Sequence, residues 1–194
     1  GITLRFLPGV CARIPTPDVM RGEEIQVFGA VSPGADALVV LPGTHSKWVR
    51  VRGGIVESFR TFLTGELFAA VAQHTIVGRL MQPGDPSGWE PFFDQGVAAA
   101  RAPGAALTSQ LFQARAAVLL GRLPAEGLRP YISGLLIGHE IVESTAGSVT
   151  LIGEGPLMPR YQRALDAFGI AHQSAGAEPA PAGLFAIARA AGMF

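Results

Sequence analysis

Hydrophobic and polar positions alternate with a period of two in some stretches of the chain and of about 3.6 in others, and the switches mark its elements. The apolar start 1-GITLRFLPGV-10 reads as a short strand, followed to Thr16 by a loop punctuated by Pro8 and Pro15, with Pro17 just beyond. In 19-VMRGEEIQVFGAV-31, Val19, Met20, Glu23 and Val27 recur at helical spacing, with Asp18 as the expected N-cap and Gly29 and Pro33 marking the end. Three extended runs come next: 37-ALVVLPG-43, 46-SKWVRVRG-53 and 55-IVESFRTFLTG-65, the last two joined at a Gly53-Gly54 hairpin turn. They feed a helix in 64-TGELFAAVAQH-74, with Thr64 as N-cap and Glu66 in its first turn.

A Pro/Gly-rich surface loop spans residues 83–91. Helices are then expected over 92–104, 108–123 (capped by Thr108 or Ser109) and 129–144, where Gly134 and Gly138 imply close packing against a neighbouring element. Residues 148–170 read as strand, Gly-bearing turn and helix, and 182–194 as a last helix. The result is an α/β fold with a mixed sheet flanked by helices. Its βββα order is that of a ribonuclease-H-like half, in which the first hairpin aims its loop at a ligand cleft.

Composition narrows the class. At 194 residues the chain makes one domain, or one and a fragment, and can bury a full core. Hydrophobic residues reach 48%, yet no apolar run approaches the roughly 18 residues of a membrane span, and the start does not resemble a signal peptide. Fifteen basic and fifteen acidic residues cancel, so the positive field that gathers nucleic acid is missing. Neither a membrane nor nucleic acid is an expected partner. The single Cys11 allows no internal disulfide and no thiol-built zinc site, which fits a reducing, cytoplasmic setting.

Candidate chemistry sits in three places. In 42-PGTHSK-47, Gly43 permits close backbone approach, Thr44 and Ser46 supply hydroxyls, Lys47 brings a compact charge, and His45 adds an imidazole. That set suits a phosphate. An ordinary hairpin with a solvated tip explains it equally well. In 153-GEGPLMPRYQRAL-165, Gly153 and Gly155 between strand and helix would let a ligand approach a helix N-terminus, although a tight βα connection accounts for them too. In 21-RGEEIQ-26, Glu23 or Glu24 could deprotonate a hydroxyl, against the plainer reading of a solvated helix face. Arg21, Arg60 and Glu66 are nearby polar candidates, Arg60 also suiting a structural ion pair. His74, His139 and His172 are scattered, so no histidine-built metal site is expected.

Five ordered blocks, 17-PDVMRGEEIQVFGA-30, 41-LPGTHSKWV-49, 58-SFRTFLTGEL-67, 133-SGLLIGHE-140 and 152-IGEGPLMPRYQRAL-165, resemble the motif series of the 2-dehydro-3-deoxygalactonokinase family. That family is similar to the sugar-kinase branch of the actin and hexokinase superfamily, whose two ribonuclease-H-like lobes close on ATP and a sugar acid. The resemblance implies phosphoryl transfer from ATP with Mg²⁺ to the primary hydroxyl of 2-dehydro-3-deoxy-D-galactonate. It implies that Gly43, Thr44, His45, Ser46 and Lys47 face the nucleotide phosphates and that Gly153 and Gly155 mark the adenosine turn. Glu23, with Glu24 in reserve, is then the base, and Arg21 and Arg60 are substrate-binding. It further implies that 1–34 is a remnant of an N-terminal lobe and its connection, that 35–194 is the ATP-binding lobe, and that the N-terminal lobe is largely missing. The competing reading is a non-catalytic actin-like module that binds nucleotide or protein. Self-association of copies is compatible with either.

Overall fold

The computed structural model describes residues 5–104, 106–144, 147–175 and 179–193. Ile2 to Leu4, where the first strand was expected, and Phe194, at the end of the last helix, lie outside them. An antiparallel hairpin of β1 (Val10–Ala12) and β2 (Asp18–Met20) comes first, then α1 (Glu23–Ala30). The expected helix from Val19 is thus corrected, because Val19 and Met20 pair with Cys11 and Val10. Asp18 does not cap a helix. Its carboxylate accepts hydrogen bonds from the Thr61 N–H and hydroxyl at 2.7 and 2.6 Å, tying the hairpin to the main sheet. The helix starts only after Gly22, whose φ of 109° a side chain would resist. Glu23 and Glu24 reach back to the N–H groups of Arg21 and Gly22, at 2.9 and 2.6 Å.

The three β-branched runs form β3 (Ala37–Leu41), β4 (Ser46–Arg52) and β5 (Ile55–Phe62), an antiparallel meander. Next come α2 (Thr64–His74), a 3-10 turn at Gly78–Leu80, α3 (Glu90–Ala100), α4 (Leu107–Leu119) and α5 (Ala125–Val142). Beyond them, β6 (Val149–Leu151), α6 (Leu157–Ala167), β7 (His172–Ser174) and α7 (Pro179–Ala190) complete the described chain. The sheet order is β5-β4-β3-β6-β7, with β6 parallel to β3 and β7 parallel to β6. Long helical crossovers make those parallel neighbours feasible.

Side-chain alternation divides the core between the two faces of this sheet. Leu38, Val40 and Trp48 pack with residues of α3, α5 and α6, including Phe93, Ile137 and Tyr161. Val39, Leu41, Val49 and Val51 pack on the other face around Val27 of α1. Burial on both sides explains why β3 reads as a continuous apolar run. Each fully buried Leu, Ile or Phe adds roughly 1.5–3 kcal/mol of transfer free energy. A second apolar layer joins α2, α3, α4 and α5.

Helix α5 begins four residues before the expected Arg129, carrying Pro130 inside its second turn, because Leu128 is already buried in the core. Its glycines behave as anticipated. A Cβ on Gly134 would overlap the Phe93 backbone, and one on Gly138 would lie 2.7 Å from Ala100 Cβ, so α5 and α3 nearly touch. Three other expectations shift. Leu63, not Thr64, is the N-cap of α2, and Ala106, not Thr108 or Ser109, that of α4. The polar His-Gln-Ser run of β7 carries no strand pattern and pairs only at the sheet edge.

Candidate functional site

Parallel pairing of β3 and β6 makes their following connections leave the same end of the sheet, the end where open α/β sheets collect ligands. Strand β3 runs into the loop at 42–45, and β6 into the Gly153–Gly155 turn ahead of α6. Gly155 has φ 80°, a conformation that glycine adopts without strain. The two connections touch, since a Cβ on Gly153 would lie 3.9 Å from Pro42 Cδ. The N-terminus of α2 closes the third side. A Cβ on Gly65 would lie 2.6 Å from the Gly43 carbonyl oxygen, and the Glu66 N–H donates to the Thr44 carbonyl at 3.0 Å.

These elements surround a cavity of about 190 Å³ whose wall includes Gly43, Thr64, Gly65, Ser133, Pro156 and Arg160. The Arg160 guanidinium pairs with Asp85 and lies over the Trp89 ring, 4.4 Å from its centroid. Its Nη1 is buried with no hydrogen-bond partner. Asp85 and Trp89 thus hold the guanidinium in the cavity wall, with one N–H left unpaired inside the protein.

The expected phosphate loop divides in two. Gly43, Thr44 and His45 form the bend, and His45 Nε2 meets Glu66 Oε2 at 2.5 Å on the surface. Ser46 and Lys47 are instead the first residues of β4, where alternation turns them to opposite faces. Ser46 is fully buried, and its hydroxyl bonds Tyr161 Oη at 2.7 Å. Lys47 is 4% exposed and pairs with Glu23 at 3.4 Å, on the α1 side. Its ammonium therefore lies on the sheet face opposite the α5-lined cavity.

Glu140, unnoticed in the sequence, gathers the Ser46 side. Its Oε1 accepts from Trp48 Nε1 at 2.7 Å, and its Oε2 accepts from Tyr161 Oη at 2.8 Å and from the Thr64 hydroxyl. Burial pushes the Glu140 carboxyl above the usual carboxylate range, opposed by these hydrogen bonds. Burial and the neighbouring Glu140 push the Tyr161 phenol well above its ordinary value. The available signal was a lone acid in a helix otherwise apolar from Leu135 to Ile141, apart from His139.

The remaining candidates scatter. The Glu23 side chain is 29% exposed beside Lys47, whereas Glu24 is buried against its own backbone. Arg21 is exposed, and its guanidinium forms no ion pair among the described residues. Arg60 donates to the Glu143 carbonyl at 2.8 Å and lines a separate open cleft of about 560 Å³, larger than the cavity but bounded by Pro15, Asp18 and Glu57 rather than by the glycine connections. His139 meets Gln110 Oε1 at 2.6 Å, and His172 meets Asp166 at 3.0 Å. Among the described residues no three of His, Cys, Asp and Glu gather as a metal site, and no helix is long and apolar enough to cross a membrane.

Comparison with known proteins identifies the family. Residues 1–187 match the family described as 2-keto-3-deoxy-galactonokinase. The Probable 2-dehydro-3-deoxygalactonokinase DgoK1 of Rhizobium meliloti (strain 1021) is 43% identical over 197 aligned residues, covering 96% of this chain and 64% of that protein. The 2-dehydro-3-deoxygalactonokinase of Escherichia coli (strain K12) is 35% identical over 177 residues, covering 87% of this chain and 59% of its own length. A crystal structure of a Sinorhizobium meliloti protein named for the same activity superposes with TM-score 0.85 at 41% identity, covering 94% of this chain and 62% of that one. The chain thus spans about three fifths of the length of the curated relatives it matches. By the extent of these matches, the chain belongs to the 2-keto-3-deoxy-galactonokinase family.

Proposed function

We propose that the chain supplies the nucleotide-binding part of a cytoplasmic kinase. The enzyme transfers the γ-phosphate of ATP to the primary hydroxyl of 2-dehydro-3-deoxy-D-galactonate, the activity for which its relatives are named. One observation carries the reading. Gly43, from the first connection, and Pro156, beside the Gly-x-Gly turn, border one cavity although most of the chain separates them. A hairpin whose tip was merely solvated would not need α2 and α6 folded against it.

The residues divide the task. Backbone N–H groups of the bend at Gly43, Thr44 and His45, with the positive end of the α2 dipole, serve the phosphate oxygens. Arg160 brings positive charge to the cavity wall, and Gly153 and Gly155 let the adenosine portion of the nucleotide approach the backbone. The described residues gather no acid cluster; a Mg²⁺ bound with the nucleotide would supply charge neutralisation on the transferred group. Ser46 and Lys47 act behind the loop rather than on the ligand.

Glu23 is the better candidate for the base that accepts the hydroxyl proton, because it is part exposed and oriented by Lys47, while Glu24 is occupied by the Gly22 N–H. Arg21, unpaired and adjacent, suits the substrate carboxylate better than Arg60, which Glu143 engages. The meander followed by two parallel strands supports a ribonuclease-H-like, actin-type lobe over 35–194, with 1–34 connecting to a second lobe. Purified protein with ATP, Mg²⁺ and the sugar acid is expected to release ADP only when the acid is present. Binding of ATP with no ADP release would instead leave a non-catalytic nucleotide module, acting alone or as a homo-oligomer.

A further inference from the structure

Four side chains from three elements meet at Glu140: Trp48 of β4, Thr64 at the start of α2, Tyr161 of α6 and, through Tyr161, Ser46 at the first position of β4. The donors can be assigned. An ionised Glu140 only accepts, so Trp48, Thr64 and Tyr161 each give it a proton, and Tyr161, having one, must accept from Ser46. Each of these elements also borders the cavity or the loop. Thr64 and Tyr161 line the cavity, and Ser46 is the hinge between the bend and the strand.

We infer that Glu140 is a positioning residue for the nucleotide: one buried carboxylate that fixes the loop's far end and the α2 N-terminus at the spacing a polyphosphate needs. The inference rests on the kinase reading. Two features argue for it over a purely structural role. A buried acid is a costly way to join helices to a sheet that apolar contacts already hold together. Its bonds also reach the loop hinge and the α2 N-terminus, whereas the packing of α5 on α3 is apolar and glycine-mediated. Donors aimed at phosphate must be set before the ligand arrives, since their value lies in not having to reorganise.

The test uses the full chain in an ADP-release assay, titrating ATP at saturating sugar acid and the acid at saturating ATP. Glutamine keeps the volume of Glu140 but offers an acceptor on one side only, so its NH₂ confronts either Trp48 or the two hydroxyls. Glu140→Gln is expected to raise KM for ATP at least tenfold, with KM for the acid changed less than threefold. Tyr161→Phe, which removes the link to Ser46 alone, should raise KM for ATP three- to tenfold. The double variant should be no worse than Glu140→Gln, since both cut the same path. A folded Glu140→Gln with lowered thermal stability and unaltered KM for ATP overturns the inference, as does unaltered KM in Tyr161→Phe should the first variant fail to fold. If the parent releases no ADP at all, the kinase reading fails and the inference falls with it. Unaltered variants of an active parent sink the inference alone.

Discussion

Replacing Gly134 with alanine adds one methyl group where two helices meet backbone to backbone. The new Cβ would lie 2.9 Å from the carbonyl carbon and 3.2 Å from the Cα of Phe93, and would overlap the Phe93 oxygen. Comfortable carbon contacts lie at about 3.5–4.0 Å, so α3 and α5 must part by roughly 0.5–1 Å, forfeiting a quarter to a half of the dispersion attraction across the seam. No side chain can rotate to relieve the clash, which places the cost at the upper end of the overpacking range, about 3 kcal/mol. Alanine recovers about 0.8–1 kcal/mol through helix propensity. The net expectation is a loss of about 2 kcal/mol, or a Tm lower by roughly 4–8 °C for a chain of this size. Urea melts followed by circular dichroism measure it. Gly147→Ala, where a Cβ would meet nothing within 4 Å, is the control and should change stability by less than about 0.5 kcal/mol. If Gly134→Ala melts like that control, the close approach of α3 and α5 is not what the glycine serves.

Glu23→Gln should lower kcat about 10²–10⁴-fold with KM for ATP nearly constant, while Glu24→Gln should cost less than about tenfold; the reverse ranking in steady-state assays would transfer the base to Glu24. Lys47→Met should lower kcat through loss of the Glu23 contact and leave KM for ATP within about threefold, because the ammonium lies on the sheet face away from the cavity. A large rise in that KM would return Lys47 to the phosphates. For pH, the folded state holds Glu140 above its unfolded value of 4.5, so it binds this proton more tightly than the unfolded chain does. Its contribution is fully present below 4.5 and is lost as pH rises through the folded value. The stability of the parent relative to Glu140→Gln should therefore fall as denaturant melts move upward from pH 4, and a rising difference would contradict burial as the dominant cause.

The meander was legible because its alternation and the Gly53-Gly54 turn are local signals that tertiary packing reinforces. Helix α2 was legible for the same reason, its N-cap shifting by one residue to Leu63. What stayed hidden depended on partners distant in sequence. Val19 and Met20 fit a helical repeat, yet the hairpin partner at Val10 and Cys11 makes them a strand. The polar β7 becomes a strand only because β6 offers an open edge. Gly43 and the Gly153–Gly155 turn were legible as connections between elements, since glycines there announce close approach. The extended run from Ser46 was legible, but which sheet face Lys47 takes depends on Glu23 of α1, a partner distant in sequence. Glu140 left only the signal of a lone acid in an apolar run; its hydrogen-bond partners gather only once β4, α2 and α6 surround it.

The opposite orientation of Ser46 and Lys47 constrains how this family can vary. Adding or deleting one residue between Pro42 and His45 would slip β4 by one place against its neighbours and exchange the two faces. An ammonium would then be presented to the pocket around Glu140, and a hydroxyl to Glu23. The length of that bend is therefore fixed from behind, by Tyr161 and Glu23 on opposite sides of the sheet, even though its tip is open to solvent.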